Sequence, residues 1–367
     1  MEISIELADK KDNADLLDLM HEMPMPGYIQ VSYRRDPDFF DSLGVEGRIS
    51  QTIIGRELKT GRPVGMGTRS IKTMYINGQP MDVGYLSSLR VRKEYRGTLH
   101  LARGYKMFKE LHKDGKAPFY LCTMLNDNIA ARRLTTGRAH LPMHRNIGQF
   151  KCMAIALSQT IHKRKLEGIA IRHATRNDAP LLMQFLNAEG RRRQFFPVYS
   201  EGDLFMRKGL LRDIAPEDII MAFSDSHLIG VIAAWDQKSF RRSVVTGYSK
   251  WLLRLRIAFN SFAKYLGFPI LPPVGSVLNY FYLSLVCIRD DNKEVFLNLL
   301  TDLMMCKRNK YSFMIAGMHE NDPLLTTLKN FRHLDYLSWI YLVYWEDAEK
   351  LCNELDSRIP YLELGGL

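Results

Sequence analysis

The sequence predicts a mixed α/β fold that is built from two related halves. Its 367 residues exceed the usual size of one hydrophobic core, so two domains are the default expectation. Segments of the first half recur in the same order in the second half. In the first half, a short apolar run at residues 85–91 leads through a basic turn into apolar positions at helical spacing from Leu99. This succession of strand and helix is typical of α/β architecture.

The internal repeat indicates where the halves meet. Residues 5–16 match residues 171–182 at an offset of 166, with Ile, Ala, Asp and Leu at equivalent places. Tyr85-Leu86-Ser87 recurs as Tyr282-Leu283-Ser284, and Phe119, Met124 and Leu134 recur as Phe313, Met318 and Leu328. We therefore predict an N-terminal domain over residues 1–162 and a C-terminal domain over residues 168–367, joined near the basic segment 162–168.

Three predicted strands precede the basic turn of the first half. Residues 51–58 and 64–75 have strand patterns on either side of a turn at 59–62. Asn77-Gly78 then predicts a tight hairpin into a strand that ends at Val91. Residues 119–125 form a further apolar run, which predicts another buried strand.

The basic turn Tyr95-Arg96-Gly97-Thr98 predicts a phosphate-binding site. The start of a helix presents unpaired main-chain N–H groups and the positive end of its dipole. A glycine there allows close approach of the main chain, and an adjacent arginine adds positive charge. These features suit a pyrophosphate.

This turn resembles the acyl-CoA signature of the GNAT acetyltransferases, which reads Gln/Arg-x-x-Gly-x-Gly/Ala. Arg96 matches its first position, whereas Leu99 and Leu101 stand where small residues are expected. The strand at 119–125 and the following Asn128, Ala131 and Leu134 resemble the next motif of that family. Thr135 replaces the tyrosine that often serves there as general acid. The resemblance implies two tandem GNAT-like folds, each a mixed, mainly antiparallel central sheet flanked by helices.

The resemblance also implies transfer of an acyl group from acetyl-CoA, or another acyl-CoA, to an amine of a small molecule or peptide. The residues implied to bind the acyl-CoA are Leu89, Val91, Arg96, Gly97, Thr98, Leu99, His100 and Asn128. Asp82 is the first candidate for the base that removes the proton of the attacking amine, and Glu57 is the second. Tyr28, Tyr33 and Arg34 are candidate acceptor contacts. No metal is expected, because Pro142 interrupts the helical spacing of His140 and His144.

The second half departs from this pattern at the equivalent turn. Residues 289–294 contain three acids and no glycine, so a pyrophosphate would meet negative charge. We therefore expect this half to have lost the acyl-CoA site. It carries an inserted helical segment near 239–275, whose apolar stripe predicts a helix packed on the protein, a lid over an apolar chain, or a basic interfacial helix.

Composition limits the remaining classes. The formal net charge of +11 favours acidic partners such as CoA, acyl carrier proteins or nucleic acids. Nucleic acid is the less favoured partner, since the segment Arg191 to Phe196 is read as a solvated loop. The five cysteines are scattered, and the N-terminal residues lack the basic flank and apolar core of a signal peptide, so we expect a cytoplasmic protein. We expect no transmembrane segment, and peripheral membrane contact stays open. Both a monomer and a homodimer fit the sequence.

Two functions from different classes fit these observations. The first is an acyl-CoA-dependent N-acyltransferase, with acetyl-CoA as donor and an active site in the N-terminal half. The second is a protein that keeps the tandem fold without CoA chemistry, as a binding protein or an aminoacyl-tRNA-dependent transferase. Arg96, Gly97 and Asn128 favour the first, whereas Leu99, Leu101 and the basic charge favour the second.

Overall fold

The structure is a computed structural model that describes residues 2–25, 27–96, 98–126, 141–160, 166–266 and 270–367. Its strands are β1 Ile3–Leu7, β2 Ile29–Arg34, β3 Ile49–Glu57, β4 Pro63–Ile76, β5 Gln79–Val91, β6 Tyr120–Leu125, β7 Met143–Ala156, β8 Ile169–His173, β9 Ile219–Ser224, β10 His227–Trp235, β11 Arg242–Tyr248, β12 Tyr280–Ile288, β13 Phe313–His319 and β14 His333–Tyr344. Its α-helices are α1 Asn13–Glu22, α2 Thr98–His112, α3 Ala179–Gly190, α4 Lys250–Leu266, α5 Lys293–Lys307, α6 Leu325–Leu328 and α7 Glu349–Asn353.

One mainly antiparallel sheet runs through both halves of the molecule. Its twelve strands lie in the order β1-β3-β4-β5-β6-β14-β7-β13-β12-β10-β9-β8. The final strand of each half is exchanged, because β14 pairs with β6 and β7 pairs with β13. The strands β14 and β7 also pair with each other along their whole lengths and so join the halves. The predicted mixed fold with a mainly antiparallel sheet flanked by helices is confirmed.

The sequence repeat is visible in the backbone. Ser88 in β5 and Leu285 in β12 occupy equivalent places, and both have positive φ values, 56° and 53°. Each lies opposite a register shift in the neighbouring strand, in β4 or in β10, as expected of a β-bulge. A positive φ is uncommon for a residue other than glycine. Its recurrence at equivalent bulges therefore indicates that the two halves share this backbone feature.

Each half also has one short parallel pairing beside its bulge. The parallel pairing of β5 with β6 is limited to Gly84 with Tyr120 and Tyr85 with Leu121. In the second half, β12 pairs with β13 only through Tyr280 to Tyr282. Beyond these residues the strands no longer pair, so each half contains a cleft that opens toward the carboxyl ends of the two strands.

Local sequence signals account for the turns and helix starts. Asn77 and Gly78 have φ values of 50° and 78°, which suit the tight turn predicted between β4 and β5. Asn292 caps α5, since its side chain accepts hydrogen bonds from the main-chain N–H groups of Glu294 and Val295. Helix α5 then buries Leu299 and Leu303 against the sheet in the core of the second half.

The basic and aromatic segment after α3 is folded into the protein. Phe195 and Phe196 are each 1% exposed, and Arg193 forms ion pairs with Asp291 at 2.5 Å and Asp322 at 3.5 Å. Buried rings cannot stack on nucleic-acid bases. The expected solvated loop is therefore wrong for Phe195 and Phe196, whose rings pack in the core.

We predict that Gly84→Ala destabilises the cleft at its closed end. A Cβ atom at Gly84 would lie 2.0 Å from the Tyr120 ring, whose hydroxyl oxygen lies 3.1 Å from both Arg69 Nη1 and His112 Nδ1. Displacing this ring should lower the free energy of unfolding by about 1–3 kcal/mol, measured by urea denaturation. Gly104→Ala is the matched control, because its Cβ would meet only Ile53 Cδ1 at 3.9 Å. This helical substitution should stabilise by about 0.5–1 kcal/mol, and equal effects at both glycines would contradict the assignment.

Candidate functional site

The candidate site is a cavity of about 390 Å³ in the cleft between β5 and β6. Residues of both halves line it. The first half contributes β5, β6 and α2, and the second half contributes β11, β12 and the segment at 364–367. The cavity therefore exists only when the two halves are assembled.

One end of the cavity is apolar. Its lining lies between α2 and strands β1, β3 and β4, and includes Ile3, Ile5, Ile53, Val64, Met66, Leu101, Tyr105 and Phe108. Gly65, Gly67 and Gly104 line this wall, and a Cβ atom added at Gly104 would meet only Ile53 Cδ1, at 3.9 Å. A pocket of this kind suits a hydrocarbon chain, whose burial is favourable in proportion to its apolar area.

The opposite end is rich in tyrosine and arginine. The tyrosines are Tyr33, Tyr85, Tyr280, Tyr282 and Tyr336, and the arginines are Arg34, Arg35, Arg90, Arg241 and Arg242. Burial raises the pKa of Tyr280 to about 12. Burial also raises the pKa of Tyr33, Tyr282 and Tyr336. These hydroxyl groups therefore stay neutral near pH 7, when they can donate or accept hydrogen bonds.

Glu46 is fully buried and holds the cationic end together. Its carboxylate accepts hydrogen bonds from Arg35 Nη2 at 2.6 Å, from Ser87 Oγ at 2.6 Å, and from Arg241 Nη2. Burial by itself raises the pKa of Glu46, but Arg35, Arg241 and Ser87 outweigh it and lower the pKa from 4.5 to about 2. The carboxylate is therefore ionised, and it fixes one arginine from each half beside the cavity.

Positive charge at this end exceeds negative charge. Glu46 faces two arginines, and Asp36 lies 3.8 Å from Arg242. Arg34 and Arg90 form no ion pair among the residues that the structure describes. Burial, followed by repulsion from Arg35, lowers the pKa of Arg90. Cationic surroundings also lower the pKa of an ammonium group, so this end favours the neutral form of a bound amine.

The segment at 360–367 passes through the second cleft and reaches the cavity. The Glu363 carboxylate accepts a 2.9 Å hydrogen bond from the N–H of Leu285, the bulge residue equivalent to Ser88. Lys72 Nζ donates to the Gly366 carbonyl at 3.1 Å, and Arg241 Nη1 donates to the main-chain oxygen of Leu367 at 2.8 Å. Protein therefore fills the second cleft at its bulge, whereas Ser88 lines a cavity in the first.

The structure brings some of the sequence-predicted residues together. Leu89, Val91, His100, Tyr33 and Arg34 line the cavity. The bulge residue Ser88 has a buried hydroxyl, and His100 has a buried Nδ1. Neither atom has a hydrogen-bond partner within the described part of the chain.

Other predicted residues lie elsewhere. Arg96 lies just before α2 and its Nε donates to the Val91 carbonyl at 3.0 Å. Tyr28 is exposed and contacts Trp251. Asp82 accepts a hydrogen bond from Thr73, and Glu57 accepts one from Thr60, and neither acid lines the cavity.

Two predicted residues, Gly97 and Asn128, lie outside the described residues, and Thr98 and Leu99 are described only as the first positions of α2. The assigned roles of all these residues stay predictions.

Sequence reasoning missed most of the polar end. Glu46, Arg90 and Arg241 carry no local motif, and they come together because β11 pairs with β2 beside the cleft. Tyr282 could have been identified from the sequence, because it is the counterpart of Tyr85 in the repeat. Among the residues that the structure describes, no group of three or more His, Cys, Asp or Glu side chains could hold a metal ion.

The fold resembles that of solved acyltransferases. One match is a crystal structure of Saccharomyces cerevisiae N-myristoyltransferase with bound myristoyl-CoA. The alignment covers 93% of this chain and 82% of the enzyme chain, with 13% sequence identity and a TM-score of 0.59. The chain therefore shares its fold with that enzyme. A second such structure gives 13% identity, coverage of 93% and 78%, and a TM-score of 0.58.

A third structure of that enzyme, with myristoyl-CoA and inhibitors, gives 12% identity, coverage of 93% and 80%, and a TM-score of 0.58. No protein-family model matches the chain, and no curated protein matches it in sequence. At these identities the similarity concerns the fold, and the predicted GNAT-like resemblance is confirmed at that level.

We predict that Glu46→Gln destabilises the protein by about 3–5 kcal/mol, because two buried arginines lose their counter-charge. Urea denaturation measures this change. Glu94→Gln is the control, since this exposed acid lies 3.6 Å from Arg62 in a solvent-screened pair, and its loss should cost under about 0.5 kcal/mol. The double variant Glu46→Gln/Arg241→Met should recover part of the lost stability. Equal effects of Glu46→Gln and Glu94→Gln would exclude Glu46 as the centre of the site.

The same carboxylate predicts a dependence on pH. The pKa of Glu46 falls from 4.5 to about 2 on folding, so its contribution is complete above pH 4.5. That contribution is lost as pH falls through 2. The difference in unfolding free energy between wild type and Glu46→Gln should therefore shrink between about pH 5 and pH 2. A constant difference across this range would show that the carboxylate charge does not stabilise the fold.

Proposed function

We propose that this chain is an acyl-CoA-dependent N-acyltransferase whose active site is the cavity beside β5 of the N-terminal half, completed by residues of the second half. The observation that carries the proposal is a cavity with an apolar end and a cationic, tyrosine-rich end, placed beside the bulge of β5. The fold is shared with enzymes solved with bound myristoyl-CoA. An acyl chain fits the apolar end, and an acceptor amine fits the polar end.

The acyl-CoA is proposed to bind once per chain. Lys93 and Arg96 lie just before the start of α2, where main-chain N–H groups and the helix dipole favour phosphate. The equivalent turn of the second half is Arg289–Asp291, and its two acids would repel phosphate. The hydrogen bond of Glu363 to the Leu285 N–H supports the same asymmetry, since the bulge of the second half is already engaged.

The acyl group is proposed to be longer than the acetyl group expected from the sequence. An acetyl group has one methyl carbon beyond its carbonyl and would leave most of the apolar wall unfilled. Each further methylene that enters such a pocket contributes about 0.8 kcal/mol. A medium or long acyl chain therefore uses the cavity better than an acetyl group does.

The proposed reaction is direct transfer. A neutral amine, from a peptide or a small molecule, attacks the thioester carbonyl carbon, a C–N bond forms, the C–S bond breaks, and the CoA sulfur takes up a proton. The arginines of the polar end favour the neutral, nucleophilic amine by lowering the pKa of its ammonium form. Leu89 and Val91 remain the proposed backbone positions beside the thioester. Asp82 and Glu57 remain candidate bases from the sequence, although both lie outside the cavity.

Calorimetric titration with CoA, acetyl-CoA and saturated acyl-CoAs of increasing length tests the proposal. Affinity should rise about fourfold per methylene until the apolar end is full. Gly104→Leu should lower affinity for long acyl-CoAs and leave acetyl-CoA binding unchanged, because its side chain would occupy the cavity. Gly104→Ala is the control. Lack of binding to every acyl-CoA at millimolar concentration would contradict the proposal and favour a protein that has lost CoA chemistry.

The phosphate site is tested by charge reversal. Arg96→Glu should weaken binding of free CoA about tenfold or more, since an attractive charge becomes repulsive beside the start of α2. Arg289→Glu, at the equivalent turn of the second half, is the matched control and should leave binding unchanged. Equal losses in both variants would remove the proposed asymmetry between the halves.

A further inference from the structure

Acidic residues are absent from a long stretch of the second half. Residues 237–288 include no Asp or Glu in 52 positions, although the whole chain has 40 acids in 367 residues. The same stretch contains Lys238, Arg241, Arg242, Lys250, Arg254, Arg256 and Lys264. An even distribution would place about five or six acids there, so the stretch is strongly cationic in a way that local structure does not require.

Helix α4 lies in this stretch and exposes large apolar side chains. The exposed residues are Trp251, Leu253, Leu255, Ile257 and Phe262, and Ile257 reaches 77% exposure. Three more, Ile270, Val274 and Val277, follow the helix. The five exposed large apolar residues of α4 form the docking surface. Exposed apolar residues concentrated in one region mark an interaction surface.

The opposite face attaches α4 to the protein. Arg256 Nη1 donates to the Pro272 carbonyl at 2.9 Å, and the Asn260 side chain exchanges two hydrogen bonds with the Leu271 main chain. Ala263 is fully buried on this face. Trp251, Leu255 and Phe262 of the predicted stripe therefore face outward, whereas Leu252 and Phe259 of the same stripe are half-buried. The outward-facing side chains are available to a partner without unfolding the helix.

We propose that this docking surface binds an anionic lipid bilayer. Helix α4 combines exposed apolar residues with Lys250 and Arg254 and carries no acid, which is the charge pattern complementary to anionic lipid headgroups. Trp251 contacts Tyr28 edge to face at 5.8 Å, and both rings are exposed. Tryptophan and tyrosine favour the boundary between headgroups and acyl chains.

The surface is peripheral to the bilayer and adjoins the cavity. No helix in the described ranges is long and apolar enough to cross a membrane. Strand β11 connects the two sites, since Arg242 and Ser243 line the cavity at its start and α4 begins two residues after its end. Binding would therefore bring the cavity wall close to the bilayer. The inference rests on the docking surface alone and does not depend on the proposed acyl transfer.

Vesicle co-sedimentation of the full chain tests the inference. Binding is expected to phosphatidylcholine vesicles that contain about a third phosphatidylserine, weaker binding to pure phosphatidylcholine, and loss of the difference at about 1 M salt. Ile257→Ser/Phe262→Ser should weaken binding about tenfold or more. Lys250→Glu/Arg254→Glu should abolish the preference for the anionic vesicles. Leu181→Ser/Met206→Ser is the matched control, since both residues are exposed apolar residues elsewhere.

Two further measurements distinguish membrane binding from a loss of stability and from self-association of the chain. The melting temperature of Ile257→Ser/Phe262→Ser should equal that of wild type, and a blue shift of tryptophan fluorescence on vesicle binding should disappear in Trp251→Phe. Unchanged vesicle binding by the α4 variants would overturn the proposal. A wild-type dimer that these variants dissociate, without vesicle binding, would identify a second copy of the chain as the occupant and would also overturn it.

Discussion

The buried carboxylate of Glu46 lies where the two halves and the cavity meet. Glu46 binds Arg35 from the first half, Arg241 from the second and Ser87 from β5. A buried carboxylate is stable as an ion only when it is paired and hydrogen-bonded, so these partners are mutually required. The contact between Glu46 and Arg241 joins positions 195 residues apart, and it fixes β11 beside the cleft. The positive charge of the polar end follows from that arrangement.

Exchange of the final strands makes the halves interdependent. Because β14 completes the sheet beside β6 and β7 completes it beside β13, neither half has its full set of strands without the other. The same exchange places Tyr336 and Ser338 of β14 in the cavity wall. A cavity built in this way depends on the whole sheet, so substitutions in either half can change it.

The two clefts share a backbone and differ in content. Ser88 and Leu285 keep the same bulge, but the N–H of Leu285 binds Glu363 while Ser88 lines open space. Two equivalent backbone geometries therefore differ in what lies beside them. The segment at 360–367 occupies the second cleft at its bulge and contributes Leu364 and Leu367 to the wall of the cavity in the first.

The sequence by itself determined the repeated strands, the Asn77-Gly78 turn, the helix after Arg96 and the helix at 250–266, because periodicity and turn residues act locally. It also located five residues of the cavity wall through the family motif and the repeat. Tertiary structure decided the strand exchange, the assembly of Glu46 with Arg35 and Arg241, and the outward direction of part of the α4 stripe. Those outcomes depend on pairing between segments remote in sequence, and periodicity identifies an apolar face without specifying what covers it.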